Sequence, residues 1–79
     1  MNKTLLNFER ITFDRQLLLG QACIRNMPIA VSHLLNLIAQ GITVDNILDL
    51  YPRLEREDVQ QALEYAALLV NQRVYPHRN

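Results

Sequence analysis

The spacing of apolar residues along this chain changes at about residue 32. Upstream of it, short alternating runs carry the two-residue period of β structure, and downstream apolar positions recur at helical intervals. In residues 9–13 the alternation Arg10, Ile11, Thr12, Phe13 predicts a half-buried strand, ended by a turn at Asp14. Leu17, Leu18 and Leu19 form an apolar patch before Gly20, which supplies a backbone angle that other residues resist. A second strand is expected over 22–25, then a turn at Asn26 and Met27. A third short extended piece is expected over 29–31, because Pro28 biases Met27 away from helix.

Three helices are predicted next. The first spans 32–40: Ser32 is placed to accept from the free N–H groups of the first turn, Leu34, Leu35, Leu37 and Ile38 form the apolar stripe, and Gly41 ends it. Thr43 caps a second helix in which Val44, Ile47, Leu48 and Tyr51 share one face, and Pro52 stops it. Leu54 plugs the turn. The third helix starts near Glu55, with Glu57 and Asp58 set against the positive end of its dipole. Its core stripe is read as Val59, Ala62, Leu63, Ala66, Leu69 and Val70. A second stripe, Gln61, Tyr65, Leu68 and Gln72, flanks the first and has two readings: both stripes lie in one broad core, or the second buries against another chain as a partner or dimer interface. The expected architecture is mainly α, with short N-terminal β-strands followed by a three-helix, helix-turn-helix-like bundle resembling a homeodomain. Residues 1–8 read as an arm, 9–74 as the single domain and 75–79 as a frayed tail.

Length and composition narrow the functional classes. Seventy-nine residues make one domain and bury little surface, so self-association as a homodimer or higher oligomer is expected. Apolar residues make up 49% of the chain, yet no run approaches the roughly 20 residues of a membrane span. Residues 1–10 lack the pattern of a secretory leader, so a cytoplasmic location is expected. One cysteine, Cys23, excludes an internal disulfide, and it reads as a small buried hydrophobe. With His33 and His77 the only histidines, no metal site, cofactor site or catalytic set is expected.

Eight basic side chains balance eight acidic ones, so the chain has no global electrostatic footprint for nucleic acid. Charge is divided unevenly: residues 1–42 carry a net +2 and residues 43–79 a net −2. The tight 51–54 turn between the second and third helices suits a helix-turn-helix, but three of the five positions Glu55, Arg56, Glu57, Asp58 and Gln60, read as the exposed start of the third helix, are acidic and repel a phosphate backbone. Arg25, Arg53 and Arg56 are the candidates for phosphate contact, if DNA is bound at all.

An ordered set of residues resembles a known family. Arg10-Ile-Thr-Phe-Asp14, Gly20, Cys23-Ile-Arg25, Ile29, Val31-Ser32, Leu35, Gly41, Ile47-Leu48, Tyr51-Pro52, Leu54, Glu57-Asp58-Val59, Ala62-Leu63 and Tyr65-Ala66-Ala67 look like the small bacterial domain of unknown function numbered four hundred and thirty-three. The resemblance implies a homeodomain-like or winged-helix-like fold and the behaviour of VapB-type antitoxins. Such a domain would bind and neutralise a PIN-like ribonuclease toxin, with autoregulation of its operon by DNA binding. The chain departs from the family pattern at two points of its turn: Asn26 stands where the family has a glycine, and Pro28 where it has a second arginine. The other expectation, from the residues alone, is a protein–protein interaction or assembly module without DNA binding.

Overall fold

A computed structural model of the chain describes residues 8–74, with side chains described through residue 71. Its elements are strand β1 (Ile11–Phe13), strand β2 (Ala22–Ile24) and helices α1 (Val31–Ala39), α2 (Val44–Leu50) and α3 (Arg56–Val74). The strands pair antiparallel, with Ile11 opposite Ile24 and Phe13 opposite Ala22. The expected order of short strands and then three helices is the one observed.

The core lies where the three helices meet the hairpin. Ile11, Ile24, Met27, Val31, Leu34, Ile47, Leu54, Val59 and Ala62 are buried in one cluster, and Cys23 is buried as well. Leu35, Leu37, Ile38, Val44, Leu48 and Tyr51 pack against it half-buried, so the stripes read for α1 and α2 face inward. Local chemistry sets the boundaries of α2. Gly41, at φ +93°, reverses the chain after α1 in the region that leucines and alanines resist. Thr43 Oγ1 then accepts the Asn46 N–H at 3.1 Å and caps α2.

Three expectations are corrected. The cap of α1 is Ala30, with no side-chain hydrogen bond, and Ser32 lies inside the first turn with its side chain exposed. The third extended piece shrinks to one bridge, Ala30 with Cys23, because Val31 already belongs to α1. On α3 only Val59 and Ala62 of the predicted core stripe are buried: Ala66 is half-buried, while Leu63, Leu69 and Val70 are exposed. At about 1.5 Å per residue a 19-residue helix extends about 28 Å, and its buried positions end at Ala62, so its C-terminal half runs beyond the body that buries the first half. Residues 1–7 of the arm and the whole 75–79 tail lie outside the described residues.

Candidate functional site

The β2 strand ends in a turn at two left-handed residues, Arg25 (φ 44°) and Asn26 (φ 59°). The Met27 N–H donates to the Ile24 carbonyl across it at 2.8 Å, and Thr12 Oγ1 accepts the Asn26 N–H at 2.8 Å. Asparagine tolerates that conformation, so the turn forms with Asn26 at its second left-handed position. One step before Ile11, Arg10 lies beside Arg25, whose N–H donates to the Arg10 carbonyl at 2.8 Å. Two guanidiniums on neighbouring strand ends repel one another unless an anion sits between them.

Asp58 is that anion. Its side chain is fully buried at the third position of α3, where one oxygen accepts the Glu55 N–H at 2.8 Å and closes the start of the helix. Arg25 grips both carboxylate oxygens, Nε to Oδ1 at 3.0 Å and Nη2 to Oδ2 at 2.9 Å, and Arg10 Nη1 reaches Oδ1 at 2.8 Å. Arg10 also pairs with Glu55 at 2.8 Å. Burial pushes the Asp58 carboxyl up, but the donors from Arg25, the Glu55 backbone and Arg10 outweigh it and hold the group below the ordinary carboxylate range. The hydrogen bonds that Arg10 donates to Glu55 and Asp58 hold its guanidinium further in the charged form. This cluster ties the hairpin to α3. Its acceptor capacity is taken up, which makes Asp58 an anchor rather than an acid or a base, and the reading of Asp58 as an exposed dipole-facing carboxylate is corrected.

The predicted phosphate contacts are placed as follows. Arg25 is committed to Asp58 and to the Arg53 carbonyl, which accepts from Nη2 at 2.8 Å. Arg56 pairs with Asp45 in the first turn of α2. Arg53 is exposed beside them. Arg25 and Arg53 therefore come together, but beside Glu55 and Asp58.

For two members of the predicted partner stripe the structure favours the intramolecular reading. Gln61 Oε1 accepts the Arg10 N–H at 2.9 Å, and Tyr65 meets Phe8 and Phe13 edge-on, ring centroids 5.5 and 6.2 Å away. Phe8, read as the last residue of the arm, is thus part of the packed body. Leu68 is half-buried, and the Gln72 side chain lies outside the described residues. Gln61 and Tyr65 of the second stripe thus face the hairpin of their own chain.

The structure brings forward a surface that the sequence left as a featureless apolar patch. In the loop between the strands, Leu18 (φ 52°), Leu19 (φ 59°) and Gly20 (φ 84°) are all left-handed. Leucine resists that region by roughly 1–2 kcal/mol per residue, so the surroundings must impose it. The loop's own hydrogen bonds do so: Asp14 Oδ1 accepts the Gln16 N–H at 2.9 Å, the Asp14 carbonyl the Leu17 N–H at 2.8 Å, and the Leu17 carbonyl the Gly20 N–H at 3.1 Å. The result presents Leu19 at 93% exposure. Leu18 forms one wall of an adjoining open groove of about 400 Å³, lined also by Gln21, Pro28, Ile29, His33, Asn36 and Tyr51. His33 Nε2 and the Tyr51 hydroxyl share a hydrogen bond at 2.7 Å across it and tie α1 to the end of α2. Leu19 thus stands as an apolar knob on a hydrogen-bonded loop, beside a groove with both polar and apolar lining.

A family model described as a protein of unknown function (DUF433) matches residues 11–66. That is more than half of the chain, and the chain belongs to the DUF433 family. Among solved structures it is similar to a DUF433 member protein from Anabaena variabilis, whose crystal structure was determined at 2.00 Å resolution. Identity is 31%, the match covers 90% of this chain and 70% of that one, and the TM-score is 0.75. A comparison with curated proteins finds no match. No helix among the described residues is long and apolar enough to cross a membrane.

Proposed function

We propose that this chain is a non-enzymatic, antitoxin-like regulator that acts by protein–protein contact, binding and neutralising a PIN-like ribonuclease. The observation that carries the reading is Leu19, a large apolar side chain held almost wholly in solvent by a left-handed loop next to the His33–Tyr51 groove. Strained backbone that displays an apolar side chain costs stability and gains nothing inside the fold, so a partner that buries it is the economical account. The class of partner comes from the family resemblance. Homodimerisation or a higher oligomer belongs to the same reading, since a chain this short buries little on its own.

DNA binding is the weaker part of the proposal. Arg25 and Arg56, two of the three arginines a phosphate backbone would need, are paired with Asp58 and Asp45, and the acidic start of α3 stands beside them. The geometry therefore favours the interaction module without direct DNA reading.

Co-expression with the product of the adjacent gene, followed by light scattering and a ribonuclease assay, tests the proposal. A stable complex with suppressed ribonuclease activity, lost in Leu19→Asp while the helical signal is kept, is the expected result. A chain that forms no complex and leaves the ribonuclease active overturns the antitoxin reading. Steeply salt-dependent binding to its own upstream DNA would restore the repressor role.

A further inference from the structure

Leu18 and Gln21 both line the groove at the His33–Tyr51 pair, whereas Leu19, which lies between them in sequence, does not line it and is 93% exposed. The knob therefore stands on the rim of a groove that it does not enter. Pro28, Ile29 and Ala30 give that groove an apolar side. Its volume of about 400 Å³ is ample for a leucine side chain, since a cavity of roughly 150 Å³ holds a benzene-sized apolar group. A knob and a matching recess side by side on one surface are self-complementary under a two-fold axis, each chain supplying the side chain that the other receives.

Charge selects a second copy as the occupant. A two-fold contact sets one surface against itself, so fixed charges near its centre meet their own sign and repel. The chain carries eight basic and eight acidic side chains, yet no Asp, Glu, Lys or Arg lines this groove. Its titratable lining groups, His33 and Tyr51, are bonded to one another. Gln21 and Asn36, which also line it, each carry donors and an acceptor and so pair with their own kind.

We propose that two copies of this chain associate about a two-fold axis at this surface, with Leu19 of each seated in the groove of the other. One loop and one groove per chain make a small interface, below about 1,200 Å² in total, so the dimer forms reversibly. The dimer does not rest on the ribonuclease reading, but both use Leu19. Each therefore excludes the other, and the chain meets that partner as a monomer.

Sedimentation equilibrium of the full chain from about 10 μM to about 1 mM tests the proposal. The wild-type mass is expected to rise from monomer toward dimer. Leu19→Asp, which spoils the knob, and Asn36→Trp, which fills the groove from an exposed position of α1, are each expected to weaken association at least tenfold with the helical signal kept. A wild type that stays monomeric to the top of the range overturns the proposal, as does a dimer that either variant leaves unchanged. The contact itself is read by mixing Leu19→Cys with Asn36→Cys, both in Cys23→Ala, under mild oxidation. A disulfide between positions 19 and 36 of different chains, identified by mass spectrometry, is expected, and a mixture that yields only links between like positions overturns it. A ribonuclease complex without a dimer overturns this proposal and leaves the antitoxin reading intact, whereas a Leu19-dependent dimer without a ribonuclease complex does the reverse.

Discussion

Arg25 holds Asp58 through two nearly parallel hydrogen bonds, 3.0 and 2.9 Å long, that join the end of β2 to the first turn of α3 across 33 residues of sequence. The carboxylate has no exposed surface, whereas the Arg25 side chain retains 37% of its own, so the desolvation falls mainly on the acid. Removing the acid leaves two neighbouring guanidiniums and the Glu55 N–H without their common acceptor. Asp58→Asn is therefore expected to destabilise the domain by about 3 kcal/mol, a large part of the roughly 4–12 kcal/mol a chain of this length holds. Arg25→Met and Arg10→Met each leave Asp58 one arginine and should lower the melting temperature less. Urea titration of the three variants checks the ranking, and an Asp58→Asn midpoint above that of either arginine variant would contradict it.

The same cluster sets an acid limb of stability. The Asp58 carboxyl is held below the ordinary range in the folded chain, while in the unfolded chain it returns to about 4. Above that value both states carry the charge and the cluster contributes fully. As the pH falls below about 4 the unfolded state takes up a proton that the folded state resists, and stability declines until the folded carboxyl titrates as well. Urea midpoints measured from pH 6 down to pH 2.5 should show this loss in the wild type and a flatter limb in Asp58→Asn. Identical limbs would mean that other carboxylates govern acid unfolding.

Cys23 offers a readout of hairpin opening. Its side chain lies in the core, and burial, reinforced by the Asp14 carboxylate, pushes the thiol up from its ordinary value. Reaction with an aromatic disulfide reagent at pH 8 is expected to be at least roughly 100-fold slower in the native protein than in 6 M urea, because the thiol must first be uncovered. Comparable rates would show that the hairpin opens without global unfolding.

How far the sequence disclosed this fold depends on the range of the interaction involved. Helix α2 was legible because Gly41, Thr43 and the Val44–Ile47–Leu48–Tyr51 spacing act within a few residues of one another. The cap of α1 lies two residues before Ser32 because Ala30 is held extended by its bridge to Cys23, a tertiary contact, and not by a cap chosen locally. Periodicity identified the inward face of α3 but carries no information on how far the body extends along it, so Leu69 and Val70 were assigned to the core. The role of Asp58 depended on strand register. Once Ile11 faces Ile24, Arg10 and Arg25 are neighbours and require an anion, a signal present in the sequence but readable only after the hairpin is paired. The left-handed Leu18 and Leu19 had no local cue, since leucine disfavours that backbone.

Leu19 separates folding from function most directly. With φ at 59° and almost its whole side chain in solvent, it contributes backbone strain and little burial. Asparagine tolerates the left-handed region and does not add the unfolded-state freedom of glycine. Leu19→Asn is therefore expected to stabilise the isolated domain by roughly 0.5–1 kcal/mol, read as a higher urea midpoint at unchanged slope. In the same variant, affinity for the proposed ribonuclease partner should fall at least tenfold, because the proposed apolar anchor is replaced by a polar side chain. Opposite signs in the two measurements identify strain retained for binding. A variant that is more stable and binds as well as the wild type would remove Leu19 from the partner surface, and one that is less stable would show that Leu19 supports the loop itself.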